Sequence, residues 1–88
     1  MVKKVIKVLN EMGLHARPAG LIADVAGKFD CSIKIIKDSA EINAKSIMGI
    51  LTLGAAKGSE IILVCEGKDA EKAAEEIEKL FKKNFDEE

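Results

Sequence analysis

The spacing of apolar residues changes period several times along the chain, and each change marks an element. Residues 2–9 alternate, with Ile6 and Val8 on one face and Lys7 on the other, which predicts a strand. Residues 10–13 are polar and read as a flexible loop. Pro18, Leu21, Ile22, Val25 and Phe29 then recur at helical spacing, so an amphipathic helix is expected over residues 16–29. Pro18 suits its first turn, where a missing N–H breaks no intrahelical bond. Alternation returns over residues 31–37, with Ile33 and Ile35 on one face, and over a shorter strand at 40–44. Lys37, Asp38 and Ser39 have hairpin character between them. Ser46 suits the N-cap of a short helix that Gly54 closes. Residues 60–66 form an apolar run bounded by Gly58 and Gly67, a pattern that belongs in the middle of a sheet. Asp69 is expected to cap a long helix whose inner face is Ala73, Ala74, Ile77, Leu80 and Phe81. Its outer face offers Glu75–Lys79 and Glu78–Lys82 pairs.

The order is βαββαβα, with no repeat, low-complexity stretch or linker, so residues 1–88 are expected to form a single domain. Four strands with helices gathered on one face make an α+β open-faced sandwich. The order in which the strands pair is left open by these patterns.

Composition narrows the function classes. A chain of 88 residues is near the lower limit at which one core suffices without metals or disulfides. Hydrophobic content of 48% beside 33% charged residues is a globular balance. A net charge of −1 gives no general attraction to nucleic acid or anionic lipid, and three Phe with no Trp or Tyr offer little for bases to stack on. Cys31 and Cys65 stand apart in apolar or strand-like runs, which reads as two buried or half-buried free thiols and neither a metal nor a redox site. Lysines break the first seven residues before a signal-peptide core can form, and no apolar run approaches the ~20 residues of a membrane span. A cytoplasmic monomer without cofactor, membrane insertion or nucleic-acid partner is expected.

One compositional fact points to chemistry. The only His, the only Arg and the only Pro of the chain all fall in His15-Ala16-Arg17-Pro18. His15 stands just before the first turn of the expected helix, whose first N–H groups lack internal partners and together carry about half a positive charge. A phosphoryl group taken up by a ring nitrogen would find those N–H groups waiting for its oxygens. Arg17 can grip the same oxygens with a planar, two-pronged guanidinium that Lys does not reproduce. Nucleophile, helix end and Arg are a sufficient minimal site, because phosphoryl transfer needs mainly positioning and charge stabilisation. An ordinary helix-entry His with an exposed Arg would leave the same local pattern.

The segment Gly13-Leu14-His15-Ala16-Arg17-Pro18-Ala19 resembles the active-site motif of the HPr family, the histidine-containing phosphocarriers of the bacterial phosphoenolpyruvate-dependent sugar phosphotransferase system. Asn43-Ala44-Lys45-Ser46-Ile47-Met48-Gly49 resembles the family's second signature, with Leu53-Gly54 and Gly58 at matching spacing, so the likeness spans essentially the whole chain. The resemblance implies a four-stranded antiparallel sheet with three helices on one face. It implies that enzyme I donates a phosphoryl group to Nδ1 of His15 and that a sugar-specific enzyme IIA receives it, with Ala16 and Arg17 holding the phosphoryl group. Two positions depart from the family pattern. Met12 stands where a small polar residue is common, and Asp24 puts a negative charge on the active-site helix although the family's partners present acidic surfaces. Residues 86–88, Asp-Glu-Glu, are expected to be a solvated tail.

Ser46 carries two readings that coexist. It is an N-cap by local pattern, and in many Gram-positive-type HPr proteins the matching Ser is phosphorylated by a dedicated kinase. The resemblance thus adds a serine kinase/phosphorylase and a transcriptional regulator to the partners. On the short helix Ile50 and Leu53 share one side, while Ile47, Met48 and Leu51 cluster on another. A one-sided sandwich is not expected to bury both, so Ile47, Met48 and Leu51 are expected to form an exposed apolar docking patch. The family's docking face matches Gly20, Ile47, Met48 and Leu51. Two alternatives stand beside the sugar phosphocarrier: a ligand-sensing or interaction module with His15 incidental, and a carrier of a nitrogen-related regulatory phosphotransferase chain. A regulatory relative lacking the active-site His is excluded by His15 itself.

Overall fold

The computed structural model describes residues 1–86. The chain runs β1 (Val2–Lys7), α1 (Ala16–Ala26), β2 (Cys31–Lys37), β3 (Ala40–Asn43), α2 (Ile47–Leu53), β4 (Glu60–Gly67) and α3 (Ala70–Lys82), followed by a short turn over Asn84–Asp86. The four strands form one antiparallel sheet in the order β1-β4-β2-β3, so the sheet is antiparallel throughout and the apolar run of β4 lies inside it. α3 packs across β1, β4 and β2, α1 lies against α2 and α3, and α2 covers β3. This is the open-faced sandwich that the element order predicts.

Register explains the burial. Ile6 pairs with Ile61, and Ile35 lies between Leu63 and Ile42. The inward members of these rows meet Ala73, Ala74, Ile77 and Phe81 of α3, with Ile22 and Ile50 from the other two helices. The opposite face carries the alternate residues, including Lys3, Val5 and Lys7 of β1 and the Lys34–Glu41 ion pair at 3.1 Å.

Four expectations need correction. β1 ends at Lys7, although Val8 continues its bonding by donating to Ser59 at 2.8 Å and accepting from Gly58 at 2.7 Å. α1 ends at Ala26, not near residue 29. Gly27 weakens the helix, and Lys28 and Phe29 donate three residues back instead of four, which tightens the chain into a turn. Asp69 occupies the N-cap of α3 but makes no side-chain cap; its Oδ2 accepts the Asp30 N–H at 2.8 Å and ties the start of β2 to that helix. On the outside of α3, Glu76 collects Lys79 at 3.3 Å and Lys72 at 3.9 Å, and Glu78 reaches Lys4 of β1 at 3.3 Å. Of the expected acidic tail, Asp86 is exposed with Lys83 Nζ 3.9 Å away, while Glu87 and Glu88 lie outside the described residues. No helix among the described residues is long and apolar enough to cross a membrane.

Candidate functional site

His15 is the N-cap of α1, with extended backbone at φ −86° and ψ −166°. Its carbonyl accepts the Ala19 N–H at 2.9 Å, and its own N–H donates to Gly13 at 3.0 Å. The imidazole makes no capping bond to the helix, so the ring is not consumed in closing α1. Pro18 has no N–H and Ala19 uses its own on His15, so the donors that face out of this helix end belong to Ala16 and Arg17. No acidic side chain occupies the first turn to offset their positive field. Asp24 lies later in α1, exposed.

The loop before His15 is locked, not flexible. Asn10 is buried at 3% exposure, and its side-chain amide donates to the Gly13 carbonyl at 2.7 Å. Gly13 donates back to the Asn10 carbonyl at 3.1 Å, and Leu14 donates to Ala55 at 2.9 Å. Glycine is required at position 13: φ is +66°, and a Cβ there would stand 2.4 Å from the Ala55 carbonyl oxygen. The entry to α1 is thereby fastened to the segment that leaves α2. Asn10 was not distinguishable from any loop amide by pattern, since only the tertiary closure buries it.

Arg17 is exposed, and Nη1 donates to the Phe85 carbonyl at 2.6 Å. The guanidinium is therefore held by the segment after α3, 68 residues away in sequence. No local signal marks Phe85 as its partner.

Ser46 caps α2 as expected: Oγ accepts the Gly49 N–H at 3.0 Å, and Gly54 closes the helix at φ +64°. α2 buries Ile50 and Leu53 but leaves Met48 71%, Ile47 47% and Leu51 37% exposed. α1 packs against α2, the helix that carries this patch. Met12, on the locked loop, is exposed as well. At Gly20 of α1 a Cβ would meet nothing within 4 Å, so packing inside the chain does not demand glycine there.

Cys31 and Cys65 are free thiols. Burial pushes the Cys65 thiol up to about 11, helped by the neighbouring Cys31, and burial likewise raises Cys31. Neither belongs to the site.

The class is that of a small α+β protein whose one imidazole is presented at a helix end beside an Arg, and whose short helix α2 carries an exposed apolar patch. Residues 2–83 match the family described as "PTS HPr component phosphorylation site". The chain is 49% identical to phosphocarrier protein HPr of Treponema pallidum over 88 residues, covering all of both chains. It is 44% identical to the HPr-like protein Crh of Halalkalibacterium halodurans over 77 residues, 88% of this chain and 92% of that one. The crystal structure of HPr-C-His from Thermoanaerobacter tengcongensis superposes with a TM-score of 0.96 at 43% identity, covering 100% of this chain and 99% of the other. An HPr dimer from that organism has also been solved. The chain belongs to the HPr family of the phosphotransferase system.

Proposed function

We propose that this chain, acting as one domain over residues 1–88, is the phosphoryl carrier of a sugar phosphotransferase system. It takes a phosphoryl group from phospho-enzyme I on Nδ1 of His15 and passes it to a sugar-specific enzyme IIA. The observation that carries this reading is the placement of His15: an N-cap imidazole not spent on capping, with Arg17 two residues on. The lone pair of the neutral ring forms the new N–P bond as the donor's bond to phosphorus breaks. The Ala16 and Arg17 N–H groups and the Arg17 guanidinium take the phosphoryl oxygens. These groups all come from one chain, so the monomer is the working unit, and its setting is the cytoplasm.

Partners dock on Gly20, Ile47, Met48 and Leu51. Three exposed apolar residues on a seven-residue helix favour this, and so does Gly20, whose missing side chain serves nothing inside the molecule. Ser46 is the regulatory position. A phosphate there sits at a helix N-terminus, where it is tolerated, and charges the edge of the same patch. A serine kinase/phosphorylase and a transcriptional regulator are the corresponding partners.

The test is incubation with enzyme I and phosphoenolpyruvate, followed by intact-protein mass measurement. Gain of one acid-labile phosphoryl group supports the carrier. An unchanged mass supports an interaction module in which His15 is incidental.

A further inference from the structure

The helices gather on one face of the sheet, and among the described residues the other face lies bare. Its side chains form rows across the strands. Val5 pairs with Ile62 and Ile62 with Ile36, so three β-branched residues run side by side over β1, β4 and β2. Val5 is 67% and Ile62 37% exposed. The solvent face of an antiparallel sheet is ordinarily polar, so a continuous apolar row across its middle marks a contact surface.

The charges on this face say what covers it. β1 presents Lys3 and Lys7, β4 presents Glu60 and Glu66, β2 presents Lys34 and β3 presents Glu41. Three cations balance three anions, which gives a strongly acidic or basic partner nothing to select. Because the strands lie in the order β1-β4-β2-β3, the signs run plus, minus, plus, minus across the sheet. A two-fold axis along the strands, between β4 and β2, lays β1 of one copy over β3 of the other and β4 over β2. Every cationic strand then meets an acidic one. A two-fold across the strands would instead lay each strand on its own copy, Lys over Lys and Glu over Glu.

We propose that the bare sheet face is a self-association surface, on which a second copy of this chain stacks about an axis parallel to the strands. Twisted sheets pack in this aligned way in β-sandwiches. Four strands about 4.8 Å apart, with the edge strand β1 six residues long, give a face on the order of 400 Å². A pair therefore buries on the order of 800 Å², in the range of weak, transient contacts. The dimer is accordingly expected only at high concentration, with a Kd on the order of 0.1–1 mM. His15 and Met48 belong to the helical layer, so stacking leaves the carrier chemistry to each chain.

Sedimentation equilibrium on either side of that concentration should show reversible dimer formation. Ile62→Thr keeps a β-branched residue but loses apolar contact, and should weaken association by about tenfold. The double variant Lys3→Glu/Lys7→Glu and the single variant Glu41→Lys should each fail to pair with themselves, because like charges then face each other across the axis. Mixed in equal amounts the two should associate again, since each β1 then meets a β3 of opposite sign. Thermal melts check that every variant is folded. On dilution, amide NMR shifts should change at Val5, Ile36 and Ile62 and not at Ile47, Met48 and Leu51. A wild type that stays monomeric throughout, or a mixture that pairs no better than its components, overturns the proposal. Shifts confined to Ile47, Met48 and Leu51 would place the contact on α2 and overturn it too. Shifts at the sheet residues on adding vesicles of anionic phospholipid, without self-association, would give the face a different occupant.

Discussion

The Asn10 side-chain amide holds the Gly13 carbonyl at 2.7 Å in a buried turn that ends two residues before His15. The loop that delivers the histidine is thus part of the core. Asn10→Ala removes this bond while the Gly13 carbonyl keeps the His15 N–H at 3.0 Å, and is expected to destabilise by about 0.5–1.5 kcal/mol. It should also slow phosphoryl acceptance, because His15 loses its fixed approach. Urea midpoints and single-turnover rates measure the two effects, and a wild-type midpoint would show that the turn needs no clamp.

Two glycines are expected to answer substitution in opposite ways. Gly13→Ala drives a Cβ to 2.4 Å from the Ala55 carbonyl oxygen at φ +66°, so a loss of more than about 2 kcal/mol is expected. Gly20→Ala meets nothing within 4 Å and lies inside a helix, so stability should rise by about 0.5–1 kcal/mol. Its affinity for enzyme I should nevertheless fall, since the added methyl enters the docking face. Thermal melts paired with binding titrations decide the matter. Unchanged affinity would remove Gly20 from that face.

Ser46→Asp preserves a good N-cap beside the exposed Ile47 and Met48. Stability is expected to hold within about 1 kcal/mol while the rate of His15 phosphorylation falls, because acidic partners now meet a negative edge. Met48→Asp should act in the same direction for the same reason. A Ser46→Asp protein that melts much earlier, or accepts phosphate as fast as wild type, contradicts a switch that works by blocking partners.

Cys65 makes a prediction about alkaline pH. Its folded thiol is raised from 9.0 to about 11, so above pH 9 the unfolded chain releases a proton that the native state retains. Stability contributed by the buried thiol is complete below pH 9 and declines as pH rises toward 11, by about 2–3 kcal/mol in all. Cys65→Ala should be less stable at neutral pH but show a flatter profile over this window. Denaturation midpoints at a series of pH values measure it, and parallel profiles would contradict the assignment.

Legibility in the sequence followed the range of the interactions. The interior place of β4 could be read from its own residues, because a strand paired on both sides cannot afford polar residues over most of its length. Ser46 and Gly54 announced both ends of α2 because caps are local chemistry. The division of α2 into a buried pair, Ile50 and Leu53, and an exposed trio followed from helical spacing. What escaped was long-range. Nothing near Asp69 says that its carboxylate will bind the Asp30 N–H instead of its own helix, and nothing near Arg17 points to Phe85. The left-handed turn at 84–86 is invisible to propensity, since Phe disfavours it and only tertiary structure holds it there.

The central claim is that His15 itself carries the phosphoryl group, and one comparison tests it most directly. Wild type and His15→Ala are each incubated with enzyme I and phosphoenolpyruvate, and the intact mass is followed before and after brief acid treatment. His15 lies in a helix cap whose backbone bonds do not involve the imidazole, so the variant should keep its fold, checked by its melt. The account predicts an acid-labile gain of one phosphoryl group in the wild type and none in the folded variant. An acid-labile gain that persists in His15→Ala at the wild-type rate would contradict it.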